Sequence, residues 1–128
     1  MKLLLDTHAF LWFIMGDARL TAAARAAIED EGNEKYVSAV SLWEIAVKVG
    51  LGKLHLSEPF EVLIPRELVR NGFLHLGIGV AHTAKLITLP FHHRDPFDRL
   101  LVAQALCEGM TLVSADVPLD AYGMPRVW

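Results

Sequence analysis

Short apolar segments, each bounded by polar residues, are the feature that most constrains the fold of this chain. The first, Leu3-Leu4-Leu5, is continuous rather than alternating, which is typical of a strand buried on both faces of a parallel sheet. Further strand-like segments are expected at residues 36–38, 73–76, 111–114 and, as a short edge strand, 126–128.

Helical patterns occupy the segments between these strands. They are predicted at residues 8–15, 21–31, 40–49, 58–71, 80–86 and 96–108. Pro65 falls inside the fourth of them and weakens that assignment. Strands that alternate with helices predict an α/β fold, a three-layer α/β/α sandwich with a mainly parallel central sheet and right-handed crossovers. The 128 residues fit a single domain spanning 1–128.

The composition excludes several classes of protein. The longest segment without a polar residue, 9–15, is too short to span a membrane, and no signal peptide is visible, so we expect a cytoplasmic protein without membrane contact. The single cysteine, Cys107, excludes an intrachain disulfide and a cysteine-rich zinc site, and we expect it in the core. The net charge of −3 argues mildly against a large surface for duplex nucleic acid.

Acidic residues stand where the apolar segments end. Asp6 follows the first strand, Asp116 follows the strand near the end of the chain, and Glu44 lies in the third helix. Asp95 and Asp98 open the last long helix. Ligands of open parallel sheets bind beyond the carboxyl ends of the strands, so Asp6 and Asp116 are expected in one crevice. Carboxylates brought together by a fold hold hard cations such as Mg²⁺, and the first hypothesis is a metal-dependent phosphodiester hydrolase.

Each acid also has a purely structural explanation. Asp6, Asp95 and Asp116 are placed to cap a following helix or turn. Asp98 in a first helical turn is stabilised by the helix dipole, and Glu44 forms an i,i+4 pair with a lysine. Capping does not explain why several acids share one crevice, where carboxylates without a cation would raise one another's pKa.

The histidines carry a weaker signal. His8 directly follows Asp6 and Thr7 and is expected to border the site. His92 and His93 form a pair in a loop, a pattern compatible with a transition-metal site, but no third ligand stands at a telling spacing.

Five motifs, in this order and spacing, resemble the PIN-domain family and most closely its VapC-like toxins of toxin–antitoxin pairs. The motifs are Leu-Leu-Leu-Asp-Thr-His at 3–8, Ser-Ala-Val-Ser-Leu-Trp-Glu-Ile-Ala-Val-Lys at 38–48, Gly-Lys-Leu at 52–54, Arg-Asp-Pro-Phe-Asp-Arg-Leu-Leu-Val-Ala-Gln-Ala at 94–105 and Thr-Leu-Val-Ser-Ala-Asp at 111–116. The resemblance covers essentially the whole chain and implies a sheet between helix layers and a ribonuclease dependent on Mg²⁺ or Mn²⁺.

The resemblance also implies the site residues. Asp6, Glu44 and Asp98 match the first three acids of the family and Asp116 the fourth, all as catalytic and metal-binding residues. Asp95 is an additional acid that either contacts the metal or only caps its helix. The residues expected to support the acids are Thr7, Ser41 and Ser114, the last in place of the threonine of many relatives. The candidates for RNA contact are Lys48, Lys53, Arg94 and Arg99.

Partners follow from the same resemblance. We expect an RNA substrate, a small cognate antitoxin and a homodimer. Trp12, Phe13 and Trp128 are candidates for exposed apolar contacts, with core packing as the alternative. The alternative function is a catalytically silent PIN-like scaffold, or a module that binds RNA or protein.

Overall fold

A five-stranded parallel sheet lies at the centre of the computed structural model, which describes residues 1–128. The strands are β1 (Lys2–Leu5), β2 (Glu34–Ser38), β3 (Leu74–Leu76), β4 (Thr111–Val113) and β5 (Arg126–Val127). Their order across the sheet is β3-β2-β1-β4-β5. The predicted α/β fold with a parallel sheet is confirmed, including the short edge strand at the end of the chain.

Helices connect the strands. They are α1 (Thr7–Met15), α2 (Ala22–Glu29), α3 (Ala39–Gly50), α4 (Phe60–Arg70), α5 (Val80–Thr88), α6 (Pro96–Glu108) and a 3₁₀ helix (Val117–Tyr122). α4 continues through Pro65, which lies on its exposed side. There the carbonyl that proline leaves without a helical partner can be hydrated. None of the helices combines the length and apolar character that crossing a membrane requires.

The sheet is buried on both faces by separate apolar cores. Leu3 and Leu5 face one core with Phe10 of α1, and Leu4 faces the other with Leu101 of α6. Side chains of a strand alternate between faces, so a continuous apolar strand satisfies both cores at once. Complete burial of a leucine side chain contributes about 1.5–3 kcal/mol. The three leucines therefore determine that β1 is an interior strand.

The order of the strands reverses at β1, and this reversal creates the crevice. Leu5 is aligned with Val37 of β2 on one side and with Val113 of β4 on the other. The Asp6 backbone N–H donates to the Val113 carbonyl oxygen at 3.0 Å. β1 and β4 therefore end side by side, and the segments that follow them enter the same space beyond the sheet.

Two sequence expectations turn out differently. Cys107 is exposed rather than in the core, because it lies in the last turn of α6, beyond the buried stretch that ends at Ala105. Trp12, Phe13 and Trp128 are half-buried against the core that contains Leu3 and Leu5. Core packing, the alternative for these three aromatic residues, therefore describes them.

Candidate active site

Five carboxylates converge at the carboxyl edge of the sheet. They line one cavity of about 280 Å³ and belong to Asp6, Glu44, Asp95, Asp98 and Asp116. Only one lysine, Lys48, contributes a permanent positive charge to the same lining. The structure thus brings together every acid that the sequence singled out.

Asp6 is both a helix cap and a member of this cavity. Its Oδ1 accepts a hydrogen bond from the Ala9 backbone N–H at 2.8 Å, and its side chain lines the cavity. Burial raises the pKa of Asp6, and the Ser114 hydroxyl opposes that rise. The capping explanation is therefore correct, but the cap uses only one of the two carboxylate oxygens, and the same side chain lines the acidic cavity.

Glu44 is held in place through both of its carboxylate oxygens. The Thr7 hydroxyl donates to Oε1 at 2.6 Å, and the Lys48 ammonium donates to Oε2 at 2.6 Å. The Thr7 hydroxyl oxygen also lies 3.1 Å from that of Ser41, and both hydroxyls are buried. Thr7 therefore contacts both Glu44 and Ser41, and each Glu44 oxygen keeps a second lone pair.

The first turn of α6 supplies two acids with different surroundings. Asp95 Oδ1 accepts from the backbone N–H groups of Phe97 at 2.8 Å and Asp98 at 3.3 Å, which is N-cap geometry. Burial, followed by the charge of Asp95, raises the pKa of Asp98 to about 7, and the charge of His93 opposes this rise. The ionised form of Asp98 is therefore poorly stabilised by the protein alone.

Asp116 has a partner that the sequence did not reveal. His93 Nδ1 accepts from the Asp95 backbone N–H at 3.1 Å, so Nε2 is the ring nitrogen left to donate a proton. Nε2 lies 2.8 Å from Asp116 Oδ2 and 3.5 Å from Asp98 Oδ2. The Ser114 hydroxyl oxygen accepts from the Asp116 backbone N–H at 3.1 Å. His93 thus orients Asp116 from one side and Ser114 holds its backbone from the other.

His93, Asp98 and Asp116 also form a compact set of donor atoms. One ligand atom from each lies within 4.8 Å of the other two, a spacing that a single metal ion can span. His92 is not part of this set, and the partners of His93 are Asp98 in α6 and Asp116 after β4. The one local signal of this set in the sequence is a histidine placed two residues before an N-cap aspartate.

The four basic candidates have different positions. Lys48 lines the acidic cavity, and Lys53 lines a cavity next to it. Arg94 is exposed beside Phe91, outside the lining of the acidic cavity.

Arg99 is wrongly placed among the RNA-contact candidates, since its side chain is buried. It is 6% exposed, donates to the Pro90 carbonyl oxygen at 2.8 Å and stacks on Phe91 at 4.0 Å. Successive helical residues are rotated by about 100°, so Arg99 points away from the side on which Asp98 faces the cavity. By donating hydrogen bonds to the carbonyl oxygens of Leu89 and Pro90, its guanidinium stabilises the loop before α6.

The PIN domain family model matches residues 3–123. The chain belongs to the PIN domain family. This PIN chain is 33% identical over 129 aligned positions to "Ribonuclease VapC22" of Mycobacterium tuberculosis, covering 98% of this chain and 97% of that protein. It is also 42% identical over 60 positions to "Ribonuclease VapC16" of the same organism, covering 47% of this chain and 43% of that protein.

Solved structures share the fold of this PIN chain. VapBC2 from Rickettsia felis, bound to a DNA fragment from its promoter, matches with a TM-score of 0.71 and 16% identity, covering 98% of this chain and 97% of that chain. VapBC-1 from nontypeable Haemophilus influenzae matches with a TM-score of 0.67 and 14% identity, covering 98% and 96%. At these identities the likeness concerns the fold.

Proposed function

We propose that this PIN-domain chain, acting as one domain, is a metal-dependent endoribonuclease that hydrolyses RNA phosphodiester bonds. The observation that carries the proposal is the cavity lined by five carboxylates and one lysine at the switch point of the sheet. The full-length likeness to a protein named as a ribonuclease supports RNA as the substrate. We further propose that the protein acts in the cytoplasm as the toxin of a toxin–antitoxin pair.

The donor atoms of the cavity fit a hard divalent cation. Burial and mutual repulsion raise the pKa of Asp6 and Asp98, which is the situation that a bound cation relieves. Carboxylate oxygens are the ligands preferred by Mg²⁺ and Mn²⁺. Asp6, Asp98 and Asp116 would hold the ion, with Glu44 completing the site directly or through water. Asp95 Oδ1 already accepts two backbone N–H groups, so capping is the role that its contacts support.

The ion, when bound, lowers the pKa of a water molecule and neutralises charge on the phosphate oxygens. The residues of the chain position the groups around that chemistry. Thr7 and Lys48 fix the two oxygens of Glu44, and His93 fixes Oδ2 of Asp116. These hydrogen bonds hold the carboxylates of Glu44 and Asp116 in place before the substrate binds, so the carboxylates need not move during the reaction. Hydrolysis by water needs no protein nucleophile.

An RNA cleavage assay tests the assignment. We expect the parent protein to cut single-stranded RNA with Mg²⁺ or Mn²⁺ and to stop when EDTA is added. Asp6→Asn and Asp98→Asn should each lose most of the activity, whereas Glu31→Gln removes an exposed charge near the opposite edge of the sheet and should cleave like the parent. Activity of either aspartate variant at the parental rate would contradict the proposal. A parent that neither binds Mn²⁺ nor cuts RNA would favour the scaffold alternative.

A cognate antitoxin is proposed as the protein partner. The structural neighbours include chains of complexes named VapBC, which supports a search for such a partner. Co-expression with the product of the neighbouring open reading frame should yield a complex that co-purifies and in which RNA cleavage is suppressed. Separate elution of the two proteins, with cleavage unaffected, would count against the pairing.

A homodimer is also proposed, and exposed apolar residues near α5 support it. Val80 is 85% exposed, Ile87 86% and Phe91 83%, which is unusual for side chains of this size. Sedimentation equilibrium should give a dimer for the parent and a shift to monomer for Ile87→Lys. Val69→Lys, at another highly exposed valine on α4, is the matched control. A parent that remains monomeric at high concentration would contradict the dimer.

A further inference from the structure

A second cavity of about 280 Å³ adjoins the acidic one. The two share lining residues, among them His8, Trp12 and Lys48, so they form one continuous depression. The residues found only in the second cavity are Leu11, Met15, Arg19, Lys53 and Leu54. In contrast to its neighbour, this cavity is lined by no carboxylate.

A flat stack of rings and a guanidinium lies where the two cavities meet. The exposed imidazole of His8 stacks on Trp12 with ring centroids 5.3 Å apart and planes 22° from parallel. The Arg19 guanidinium carbon lies 4.8 Å from the centroid of the Trp12 ring. Trp128 packs against Trp12 at 5.7 Å. We name the surface formed by His8, Trp12 and Arg19 the stacking platform.

Three basic side chains, Arg19, Lys48 and Lys53, line the second cavity, and two of them are paired with carboxylates. Arg19 is paired with Asp17 at 2.6 Å, and Lys48 with Glu44 at 2.6 Å. The Lys53 ammonium makes no hydrogen bond or ion pair within the protein, so its charge is free for a ligand. Its backbone N–H donates to the Lys48 carbonyl oxygen at 2.9 Å, which anchors the residue at the end of α3.

We infer that the stacking platform binds one nucleotide of single-stranded RNA next to the phosphate that is cleaved. The base lies against the rings of His8 and Trp12, and its phosphate lies near Lys53. This inference rests on the proposed ribonuclease function and adds a binding site to it. Aromatic faces beside cations recognise unpaired bases with little sequence preference, and a base can reach such a face only when it has left a helix.

Charge and shape favour RNA over an acidic peptide as the occupant. An acidic peptide would be attracted by Lys53, but its acidic side chains offer no flat ring to stack on the imidazole and the indole. Nucleic acid uses both features, since it alternates a flat ring with a negative charge along its strand. The cavity also continues directly into the carboxylate site, where the same strand must place a phosphate.

Equilibrium binding tests the inference separately from cleavage. Fluorescence anisotropy of a short labelled single-stranded RNA is measured in EDTA over a series of salt concentrations, with RNA integrity checked on a gel. We expect His8→Ala and Trp12→Leu each to weaken binding roughly tenfold without changing the salt dependence, because stacking involves no counterion release. Trp12→Phe should restore most of the affinity if Trp12→Leu loses it, which separates stacking from misfolding.

Lys53→Ala has a different expected signature. The slope of the logarithm of the binding constant against the logarithm of the salt concentration should fall by about 0.7, the value for one phosphate contact to a single strand. Lys85→Ala and Trp43→Leu are matched controls, since both side chains are exposed outside the two cavities, and they should bind RNA like the parent.

The outcomes separate this inference from the proposed function. Parental affinity and salt slope in His8→Ala, Trp12→Leu and Lys53→Ala, in a protein that still cleaves RNA, would overturn the platform and leave the ribonuclease intact. Loss of antitoxin binding with unchanged RNA binding in the same variants would also overturn it and assign the surface to a protein. Loss of cleavage with unchanged RNA affinity in Asp6→Asn, together with weaker RNA binding in His8→Ala and Trp12→Leu, would support both.

Discussion

Replacing Asp98 by asparagine should stabilise the metal-free protein at the pH where the enzyme is expected to work. The pKa of Asp98 is raised to about 7 from an ordinary 3.8, so the folded state binds its proton more tightly than the unfolded state does. The contribution of Asp98 to the free energy of unfolding is fully present below pH 4, and it is lost as the pH rises through 7. Each pKa unit corresponds to 1.36 kcal/mol, so the loss amounts to about 4 kcal/mol at most.

The expected gain in the variant is smaller than this limit. The Asp98 side chain is 25% exposed, and water entering the cavity stabilises the carboxylate. Asparagine also gives up about 0.3–1 kcal/mol of favourable interaction with the dipole of α6. A gain of about 1–3 kcal/mol therefore remains for Asp98→Asn at pH 8, and it should disappear near pH 4, where both side chains are neutral.

Thermal and urea unfolding in EDTA, at pH 4.5 and pH 8, measure this difference. Addition of MnCl₂ at pH 8 should stabilise the parent more than Asp98→Asn, because the parent gains the ligand whose ionisation the apo protein disfavours. Glu31→Gln removes an equal charge from an exposed loop and controls for net charge. The reasoning would be refuted if Asp98→Asn were no more stable than the parent in EDTA at pH 8.

Three further predictions concern single side chains. His93→Asn should weaken Mn²⁺ binding about 10- to 100-fold in calorimetric titration, because Asp116 loses the donor that orients it; parental affinity would argue against that role. Leu101→Ala, at a side chain that is 1% exposed, should destabilise the fold by about 2–5 kcal/mol in urea, and a loss below 1 kcal/mol would contradict its core position. Arg99→Ala should lower stability by about 1–3 kcal/mol while RNA affinity in EDTA stays parental, since the guanidinium holds the Pro90 carbonyl; a weaker RNA affinity would reinstate it as an RNA contact.

Local signals in the sequence predict the framework well. The boundaries of α6 follow from Asp95 and Pro96 at its start and Gly109, with φ of +64°, just past its end. The position of β1 follows from three leucines that fill both cores. Capping, proline placement and burial on two faces are properties of neighbouring residues, so the sequence displays them directly.

Contacts between distant segments could not be predicted in the same way. The partner of His93 is Asp116, which reaches it only after β4 has paired with β1. Arg99 looked like a surface cation because the carbonyl groups that bind it belong to a loop of no distinctive pattern. Cys107 looked apolar by periodicity, yet its helix turn extends past the layer that would cover it.

The central position of β1 has a consequence for the chain during its synthesis. Asp6 leaves the ribosome well before β4 and the segment carrying Asp116. Until these emerge, β1 has only one of its two neighbouring strands, and the set of carboxylates is incomplete. A nascent chain in which β4 and Asp116 have not yet emerged therefore lacks the assembled carboxylate cavity, and the proposed nuclease cannot act before they do.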